Sequence, residues 1–261
     1  MSIITLMTDF GMKDGNVGVM KGVIMRIAPH IQIIDLSHQI GAQNIREAAI
    51  ILNRSAPYFP DGTIHVVVVD PGVGTDRRPI AARLGSQYFI GPDNGLITLW
   101  LEQCERKGLP VEFFHLNKPQ YWLEEVSQVF HGRDIFAPVS AHLASGVTLG
   151  ELGTTVTDPV RMQFPRPKRT KGWIGEVIYL DNFGNIISNL ECQHLEEQRV
   201  VTVLIKGVKI LGMVPTFGEQ PPGELVALYG STGSLIVSEV NGNAAQRLGV
   251  KVGDSIEVIV E

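Results

Sequence analysis

The stretch from residue 65 to residue 78, HVVVVDPGVGTDRR, decides the fold and the position of the candidate site. Residues 66–69 form an uninterrupted β-branched run, which is typical of a strand buried on both faces. The run ends at Asp70, and the following turn leads to Arg77 and Arg78. Because open α/β sheets bind ligands beyond the carboxyl ends of their strands, the stretch predicts a site there. A plain turn with a solvated arginine pair is the alternative that the same residues allow.

The segments around this strand alternate between strand and helix patterns. Strands are predicted at 3–7, 31–36 and 66–69, and helices at 17–28 and 44–58. This alternation predicts an N-terminal α/β domain with a mainly parallel central sheet. A hairpin at 80–90, a helix ending near residue 106, a strand at 111–116 and a helix at 136–145 continue the domain.

The pattern changes near residue 164. Pro165, Pro167 and a basic cluster predict a linker over residues 165–171 between an N-terminal domain at 1–164 and a C-terminal domain at 172–261. The second domain shows short strands and turns, which predicts a smaller antiparallel, β-barrel-like fold. Its strands are expected at 175–180, 200–205, 208–211, 225–228, 235–240 and 255–260.

Composition limits the possible classes of function. The chain has 261 residues, of which 44% are hydrophobic and 19% charged, as in a globular core. A net charge of −5 and the lack of a long basic run argue against a nucleic-acid partner. No apolar run approaches about 18 residues and no signal-peptide pattern is present, so we expect neither a membrane span nor export. Cys104 and Cys192 lack metal-ligand spacing, and we expect reduced thiols in the cytoplasm.

Several polar side chains follow predicted strand ends. They are Asp9, Asp35, Asp70, Arg77, Asp93, Asn94 and His131. Taken singly, each is explained at least as well by capping or turn formation. In the second half, DNFGN at 181–185 can stack a flat ring and bond its edge, although a β-turn with a core phenylalanine is equally consistent. YGSTGS at 229–234 offers hydroxyl and amide groups for a carboxylate.

Six short motifs resemble one family when they are taken in order. They are TDFG at 8–11, VDPGVG at 69–74, GPDNG at 91–95, FHGRD at 130–134, DNFGN at 181–185 and NGNAA at 241–245. Together they resemble the S-adenosyl-L-methionine (SAM) hydroxide adenosyltransferases, or SAM hydrolases, which are relatives of the SAM-dependent fluorinase and chlorinase. The resemblance covers nearly the whole chain. It implies attack of water or hydroxide on the ribose C5′ of SAM, which yields adenosine and L-methionine without a cofactor or metal.

The resemblance also implies an assembly and a set of binding residues. The family forms homotrimers, with active sites between one subunit's N-terminal domain and a neighbour's C-terminal domain. Asp9 is expected to hold the ribose hydroxyls, Asp181 to meet the methionine ammonium, and Phe183 to stack on adenine. The full set expected to bind SAM or adenosine is Asp9, Asp14, Asn16, Asp181, Phe183, Asn185, Ser231, Val240 and Ala244.

The catalytic residues implied by the resemblance are Asp70, Arg77 and His131, around the nucleophilic water. Arg78 is the alternative to Arg77, although the spacing from Asp70 favours Arg77. Bulk water has a pKa near 15.7 and a free aspartate about 3.9, so we expect Asp70 to orient the water and take its proton late. Arg77 is expected to hold hydroxide-like charge and to lower the pKa of Asp70. His131 is expected to pass the proton out.

Differences from the halogenases argue against a halide nucleophile. The halogenases resemble this chain but carry a tyrosine at the position of Asp70 and a tryptophan at that of Gln43. The arginine that follows the carboxylate-binding serine in fluorinase corresponds to Thr232. Three alternatives stay open: a halide-using SAM 5′-halogenase, a non-catalytic SAM or adenosine sensor, and a metal-dependent hydrolase using Asp9, Asp70 and His131.

Overall fold

The structure of the protein, a computed structural model, describes residues 3–195 and 201–260. The chain divides into two compact units, Met1–Met162 and Gln163–Glu261. Val200, the first residue of the strand predicted at 200–205, lies outside the described residues. Within the described ranges, no helix has the length and apolar character needed to cross a membrane.

A seven-stranded mixed sheet organises the first unit. Its strands are β1 (Ile3–Thr8), β2 (Gln32–Ser37), β3 (Ile64–Val68), β4 (Pro79–Leu84), β5 (Gln87–Pro92), β6 (Val111–His115) and β7 (Thr154–Thr155). They lie in the order β2–β1–β3–β5–β4–β6–β7. Pairing is parallel among β2, β1, β3 and β5, and antiparallel from β5 through β4 and β6 to β7. The predicted α/β class is confirmed, with antiparallel pairing entering at the β4–β5 hairpin.

Helices cover both faces of this sheet. They are α1 (Asn16–Ile27), α2 (Ile45–Ser55), α3 (Thr98–Arg106), α4 (Ala137–Ala144) and α5 (Leu149–Leu152). Helices α1 and α4 bury one face, and α2 and α3 bury the other. Because successive side chains of a strand point to opposite faces, Val66 and Val68 enter one core, and Val67 and Val69 enter the other. The valine run is therefore buried on both faces, as predicted.

Local signals set the start of two helices. The side chain of Asn44 accepts from the amide of Glu47 at 3.1 Å and donates to its carboxylate at 3.0 Å, and these two bonds cap the amino end of α2. Helix α4 is preceded by a π-helical turn, Gly132–Phe136, that begins directly after His131. Because π-helical turns often occur at functional sites, this turn supports a special role for the backbone at His131.

The carboxyl ends of β1 and β3 lie where the sheet changes winding direction. Strand β1 leads to β2 on one side, whereas β3 leads to β5 and β4 on the other. Thr8 pairs with Val68, so Asp9 and Asp70 leave the sheet at the same edge. Open α/β sheets bind ligands in the crevice at such a switch point.

An antiparallel sheet forms the second unit. Its strands are β8 (Lys168–Arg169), β9 (Trp173–Leu180), β10 (Ile186–Glu191), β11 (Val201–Ile205), β12 (Val208–Leu211), β13 (Leu225–Tyr229), β14 (Ser234–Glu239) and β15 (Ser255–Val260). The order is β12–β11–β15–β9–β10–β14–β13, with β8 paired to β9. The Val214 amide donates to the Ala227 carbonyl at 2.9 Å, which nearly closes the sheet into a barrel. A short helix, α6 (Ala244–Leu248), contributes to its core. The barrel-like prediction is confirmed.

Candidate active site

Asp70, Arg77 and His131 meet beyond the carboxyl end of β3. Nε of Arg77 donates to Asp70 Oδ1 at 3.0 Å, and the terminal nitrogen Nη2 donates to Asp70 Oδ2. The same Nη2 lies 3.1 Å from Nδ1 of His131. The side chains of Asp70 and Arg77 are only 3% and 7% exposed. The structure therefore brings the three predicted catalytic side chains into direct contact in a shielded place.

One donor of Arg77 is left over. Its second terminal nitrogen, Nη1, is buried and has no hydrogen-bond partner among the described residues. Buried donors are nearly always paired, because an unmet one costs about 1–3 kcal/mol. The arrangement therefore offers a cationic donor to an oxygen atom of a ligand or water.

The partners of Arg78 separate its role from that of Arg77. Nε of Arg78 donates to Asp93 Oδ2 at 2.9 Å, and Nη1 donates to Asp158 Oδ1 at 2.8 Å. The adjacent Asn94 donates from its side chain to the Val69 carbonyl at 2.9 Å. Arg78, Asp93 and Asn94 thus secure the strand end, and Arg77 is the arginine that meets Asp70.

The contact with Arg77 assigns the tautomer of His131. A guanidinium only donates, so Nδ1 of His131 accepts and the neutral ring carries its proton on Nε2. Burial, followed by the charge of Arg77, lowers the pKa of His131. The neutral ring therefore persists to lower pH than that of a free histidine. This geometry favours a hydrogen-bond donor at Nε2 over the proton relay that we expected.

Two opposing effects set the pKa of Asp70. Burial raises the pKa of Asp70, and the nearby charge of Arg77 only partly opposes that shift. Arg77 acts in the expected direction, but desolvation of the carboxylate outweighs its attraction to the guanidinium, so the pKa is raised overall. A raised pKa makes Asp70 a better proton acceptor than a free aspartate.

The loop that carries Asp70 and Arg77 packs tightly on the segment before His131. Gly74 has a φ of +76°, and a Cβ there would lie 2.2 Å from the carbonyl oxygen of Gln128. A glycine satisfies both the left-handed backbone and the close approach. The two halves of the catalytic group are thereby fixed against each other through backbone contact.

Asp134, which was not among the predicted site residues, secures the same segment. Its buried carboxylate accepts from the amide of Ser127 at 2.9 Å and from its hydroxyl at 2.8 Å. Arg133 Nε donates to the other oxygen at 2.5 Å. The only sequence signal for Asp134 is its place in the FHGRD motif. The motif does not show that Ser127 is the hydrogen-bond partner of Asp134.

Asp9 occupies the bend after β1. Its Oδ2 accepts from the Gln43 amide at 2.7 Å, and Oδ1 accepts from no described residue. The rings of Phe10 and Phe130 meet edge to face at 5.7 Å, which joins this bend to the segment that carries His131. Asp9 therefore keeps one free carboxylate oxygen beside the crevice.

Asp14 and Asn16 stand at the amino end of α1. Between them lies Gly15, whose left-handed φ of +72° begins the helix. Asp14 is exposed and Asn16 is half-buried. Both polar side chains are thus reachable from solvent, in the connection that follows Asp9.

Asp181 organises the DNFGN loop of the second unit. Its Oδ1 accepts from the amides of Phe183 and Asn185 at 2.9 Å each, and Oδ2 accepts from the Asn185 side chain at 2.7 Å. Phe183 is 73% exposed, so the alternative of a turn with a core phenylalanine is wrong. The loop holds an unstacked aromatic ring in a fixed turn.

The remaining predicted contacts also lie in the second unit. Ser231 is exposed in the turn between β13 and β14. Val240 is buried, and its amide and carbonyl bond to Glu224 and Gly223 at 2.9 and 2.8 Å. Ala244 is the first residue of α6, where the amide has no partner within the helix. The Ala244 amide is therefore the better candidate for a ligand contact.

Comparison with known proteins identifies the family. Residues 4–153 match the family model of the SAM hydroxide adenosyltransferase N-terminal domain. Residues 175–257 match that of the corresponding C-terminal domain. The chain belongs to the SAM hydroxide adenosyltransferase family. The resemblance predicted from six motifs is thereby confirmed.

Individual proteins match this chain over nearly their full length. A protein of Thermus thermophilus is 38% identical over 98% of this chain and 99% of its own, and one of Salinispora tropica is 36% identical over 98% and 97%. Both are named (R)-S-adenosyl-L-methionine hydrolase. The crystal structure of an uncharacterized conserved protein from Thermotoga maritima matches with a TM-score of 0.92 and 36% identity, over 98% of this chain and 99% of that one. A fluorinase of an Actinoplanes species is more distant, 28% identical over 98% of this chain and 97% of its own.

Proposed function

We propose that this protein hydrolyses S-adenosyl-L-methionine to adenosine and L-methionine by attack of water or hydroxide on the ribose C5′. The family and the names of its full-length relatives support the reaction. The single observation that carries it is the buried group of Asp70, Arg77 and His131, with one arginine donor left unpaired among the described residues. The names of the relatives also favour the (R) epimer at sulfur as the substrate.

The nucleophile is held by an arginine donor and deprotonated by a carboxylate. Nη1 of Arg77 binds the oxygen of the water and stabilises its growing negative charge. Asp70 accepts the proton as the bond to C5′ forms, since water is far too weak an acid to lose it beforehand. His131 accepts from Nη2 of Arg77 and so holds the guanidinium in place, which leaves the second lone pair of the water free to attack C5′.

The departing group needs no help from an acid. A sulfonium leaves as a neutral thioether, so the methionine sulfur requires no proton. Hydroxide and sulfonium lose charge as they meet. A shielded pocket therefore stabilises the transition state, relative to the separated charges, better than bulk water does. Holding C5′ and the oxygen in line is the larger contribution, because well-oriented reactants gain on the order of 7–11 kcal/mol.

The other predicted residues bind the substrate. Asp9 holds the ribose hydroxyls with its free oxygen, and Phe183 stacks on adenine. Asn185 and the backbone at Val240 and Ala244 contact the adenine edge. The methionine end meets Asp14, Asn16, Asp181 and Ser231. Each role is carried over from the family to the matching position of this chain.

The proposal also covers the oligomeric state of the protein and its location in the cell. We propose a homotrimer in the cytoplasm, with each active site built from two neighbouring subunits. The division of the predicted binding residues between the two units of the chain is consistent with this. Light scattering should give three times the chain mass of 28.6 kDa. Co-expressed Asp70→Ala and Phe183→Ala chains should regain activity that neither has alone, and a monomer or an inactive mixture would contradict the assembly.

Separation of the products tests the function. Purified protein incubated with each sulfur epimer of SAM should release adenosine and methionine in equal amounts, faster from the (R) epimer. The fluorinase relative makes 5′-halogenation the second candidate, and the formation of 5′-halo-adenosine with added fluoride or chloride would support it. Tight binding without turnover, unchanged by Asp70→Ala, would instead indicate a sensor.

A metal-dependent mechanism is tested separately. Both oxygens of Asp70 accept from Arg77, and the guanidinium charge beside them repels a metal cation. Within the described ranges, no group of three or more His, Cys, Asp or Glu residues is arranged to hold a metal ion. We expect full hydrolytic activity in EDTA. A loss of activity that a divalent cation restores would contradict this part of the proposal.

A further inference from the structure

His38 is a buried histidine that the proposed mechanism does not use. It is 5% exposed and follows β2, at the sheet edge where Asp9 lies. Its Nδ1 lies 2.9 Å from Thr8 Oγ1, and its Nε2 lies 3.0 Å from Asp35 Oδ1, although the N–H is not well aligned. Lys21 donates to the other oxygen of Asp35 at 2.6 Å. Side chains from β1 and β2 therefore contact this imidazole, and a lysine from α1 holds its Asp35 neighbour.

The hydrogen-bond network assigns the tautomer of His38. Thr8 is fully buried, and its hydroxyl oxygen accepts from the Phe10 amide at 3.2 Å. Among the described residues, Nδ1 of His38 is the acceptor that remains for the hydroxyl proton. A neutral ring then carries its proton on Nε2, the nitrogen that lies 3.0 Å from Asp35 Oδ1. The opposite tautomer would leave the Thr8 proton unmet and turn a lone pair toward a carboxylate.

His38 also holds the far end of the same bend through its backbone. Its carbonyl oxygen accepts from the Gly11 amide at 2.8 Å. One residue thus secures both Thr8 and Gly11, the two ends of the four-residue segment that contains Asp9. The Gln43 amide fixes Oδ2 of Asp9 at 2.7 Å, so the direction of Oδ1 is set by this frame.

We propose that His38 is a positioning residue that aims the free oxygen of Asp9 at the ribose hydroxyls of the substrate. The inference rests on the proposed function, because it requires Asp9 to bind the nucleoside. The contacts of His38 described above are with Thr8, Gly11 and Asp35, none of which belongs to the proposed catalytic group. Loss of His38 therefore weakens substrate binding and leaves the chemical step largely intact.

Three substitutions test the proposal through kinetics with SAM. His38→Leu removes both ring contacts, and Thr8→Val removes the hydroxyl while keeping its shape. Each should raise KM about tenfold and change kcat less than about threefold, the effect of roughly one lost hydrogen bond on binding. His38→Asn keeps an acceptor near the position of Nδ1 and should raise KM less than about threefold. If His38→Leu fails to fold, Thr8→Val still tests the proposal. His30 is an exposed histidine, so the control variant His30→Gln should have the KM and kcat of the wild type.

A double-mutant cycle with Asp9→Asn separates positioning from general stability. If His38 acts through Asp9, adding His38→Leu to Asp9→Asn should cost little further affinity, measured as KM for SAM and Kd for adenosine. Additive effects, or an unchanged KM in both Thr8→Val and His38→Leu, would overturn the inference. The proposed function fails separately, if the wild-type protein does not turn over SAM.

Discussion

At the scale of single residues, Arg77 connects the catalytic group. Two of its nitrogens are used by Asp70 and His131, and the third, Nη1, stays buried without a partner among the described residues. In the proposed mechanism the same side chain would orient Asp70 as the base and offer a donor to the nucleophile, and its contact with Nδ1 fixes the tautomer of His131. Its charge and that of Asp70 offset each other within a site where either alone would be costly to bury.

Replacing Asp70 tests its role as the base. Asp70→Asn keeps the shape and removes the charge, so kcat should fall by about 10²-fold or more while KM for SAM changes much less. Asp76→Asn, an exposed aspartate of the same loop, should leave both constants unchanged. A variant with a raised KM and a wild-type kcat would show that Asp70 binds substrate instead of activating water.

The pH profile distinguishes Asp70 from His131. Burial and then Arg77 lower the pKa of His131, so the ring stays neutral below the ordinary value of 6.5. Burial raises the pKa of Asp70 above 3.8, so its protonation should define the acid limb. We expect kcat/KM to fall on the acid side as Asp70 is protonated, with a midpoint above the free-aspartate value. His131→Gln should lower activity and keep that acid limb; loss of the limb in this variant would assign it to His131.

At the scale of elements, we expect activity to depend on the contact between the loop at Gly74 and the segment at Gln128. Two glycines allow the effect of this contact to be separated from that of backbone strain. Gly74 and Gly62 have similar left-handed φ values, +76° and +79°, but only Gly74 lies against another segment. Gly62→Ala meets nothing within 4 Å and should lower the free energy of unfolding by about 1 kcal/mol. Gly74→Ala also forces a Cβ against Gln128, and should cost roughly a further 2 kcal/mol and most of the turnover. Equal stability and activity in the two variants would contradict the role of this contact.

The elements that the sequence predicts well are those with local signals. The valine run at 66–69, the Asn44 cap and the hairpin of β4 and β5 each have a pattern within a few residues. Strand β10 was missed because its IISNLE sequence mixes polar and apolar residues directly after a turn motif. The π-helical turn before α4 was missed because its sequence is also compatible with an ordinary helix.

The site was only partly predictable, for a related reason. Family motifs brought Asp70, Arg77 and His131 to attention, but their mutual contact spans 54 residues of chain. The bond from Thr8 to His38 spans 30 residues and has no local pattern at all. Desolvation, which decides the direction of the Asp70 pKa, depends on the finished fold and is not visible in a motif.

At the scale of the whole molecule, one buried histidine should couple stability to pH. His65 lies in the sheet between the rings of Phe59 and Trp100, and burial lowers its pKa from 6.5 to about 4. Between these values the unfolded chain binds a proton that the folded chain excludes, so stability falls as pH drops below about 6.5. By about pH 5 the loss from this group is about 2 kcal/mol.

Denaturant unfolding at about pH 7 and about pH 5, followed by tryptophan fluorescence, measures this coupling. His65→Gln removes the titrating group, so its drop in the free energy of unfolding between the two pH values should be about 2 kcal/mol smaller than that of the wild type. His30→Gln should retain the wild-type drop. An unchanged drop in His65→Gln would contradict the assignment, whatever the absolute stability of the variant.

The origin of the oxygen on the product tests the central claim most directly. SAM should be turned over in ¹⁸O-enriched water and the adenosine analysed by mass spectrometry. Attack of water on C5′ predicts one ¹⁸O atom in the 5′-hydroxyl of adenosine and none in methionine. Adenosine without the label, or a 5′-halo-adenosine in its place, would contradict the account.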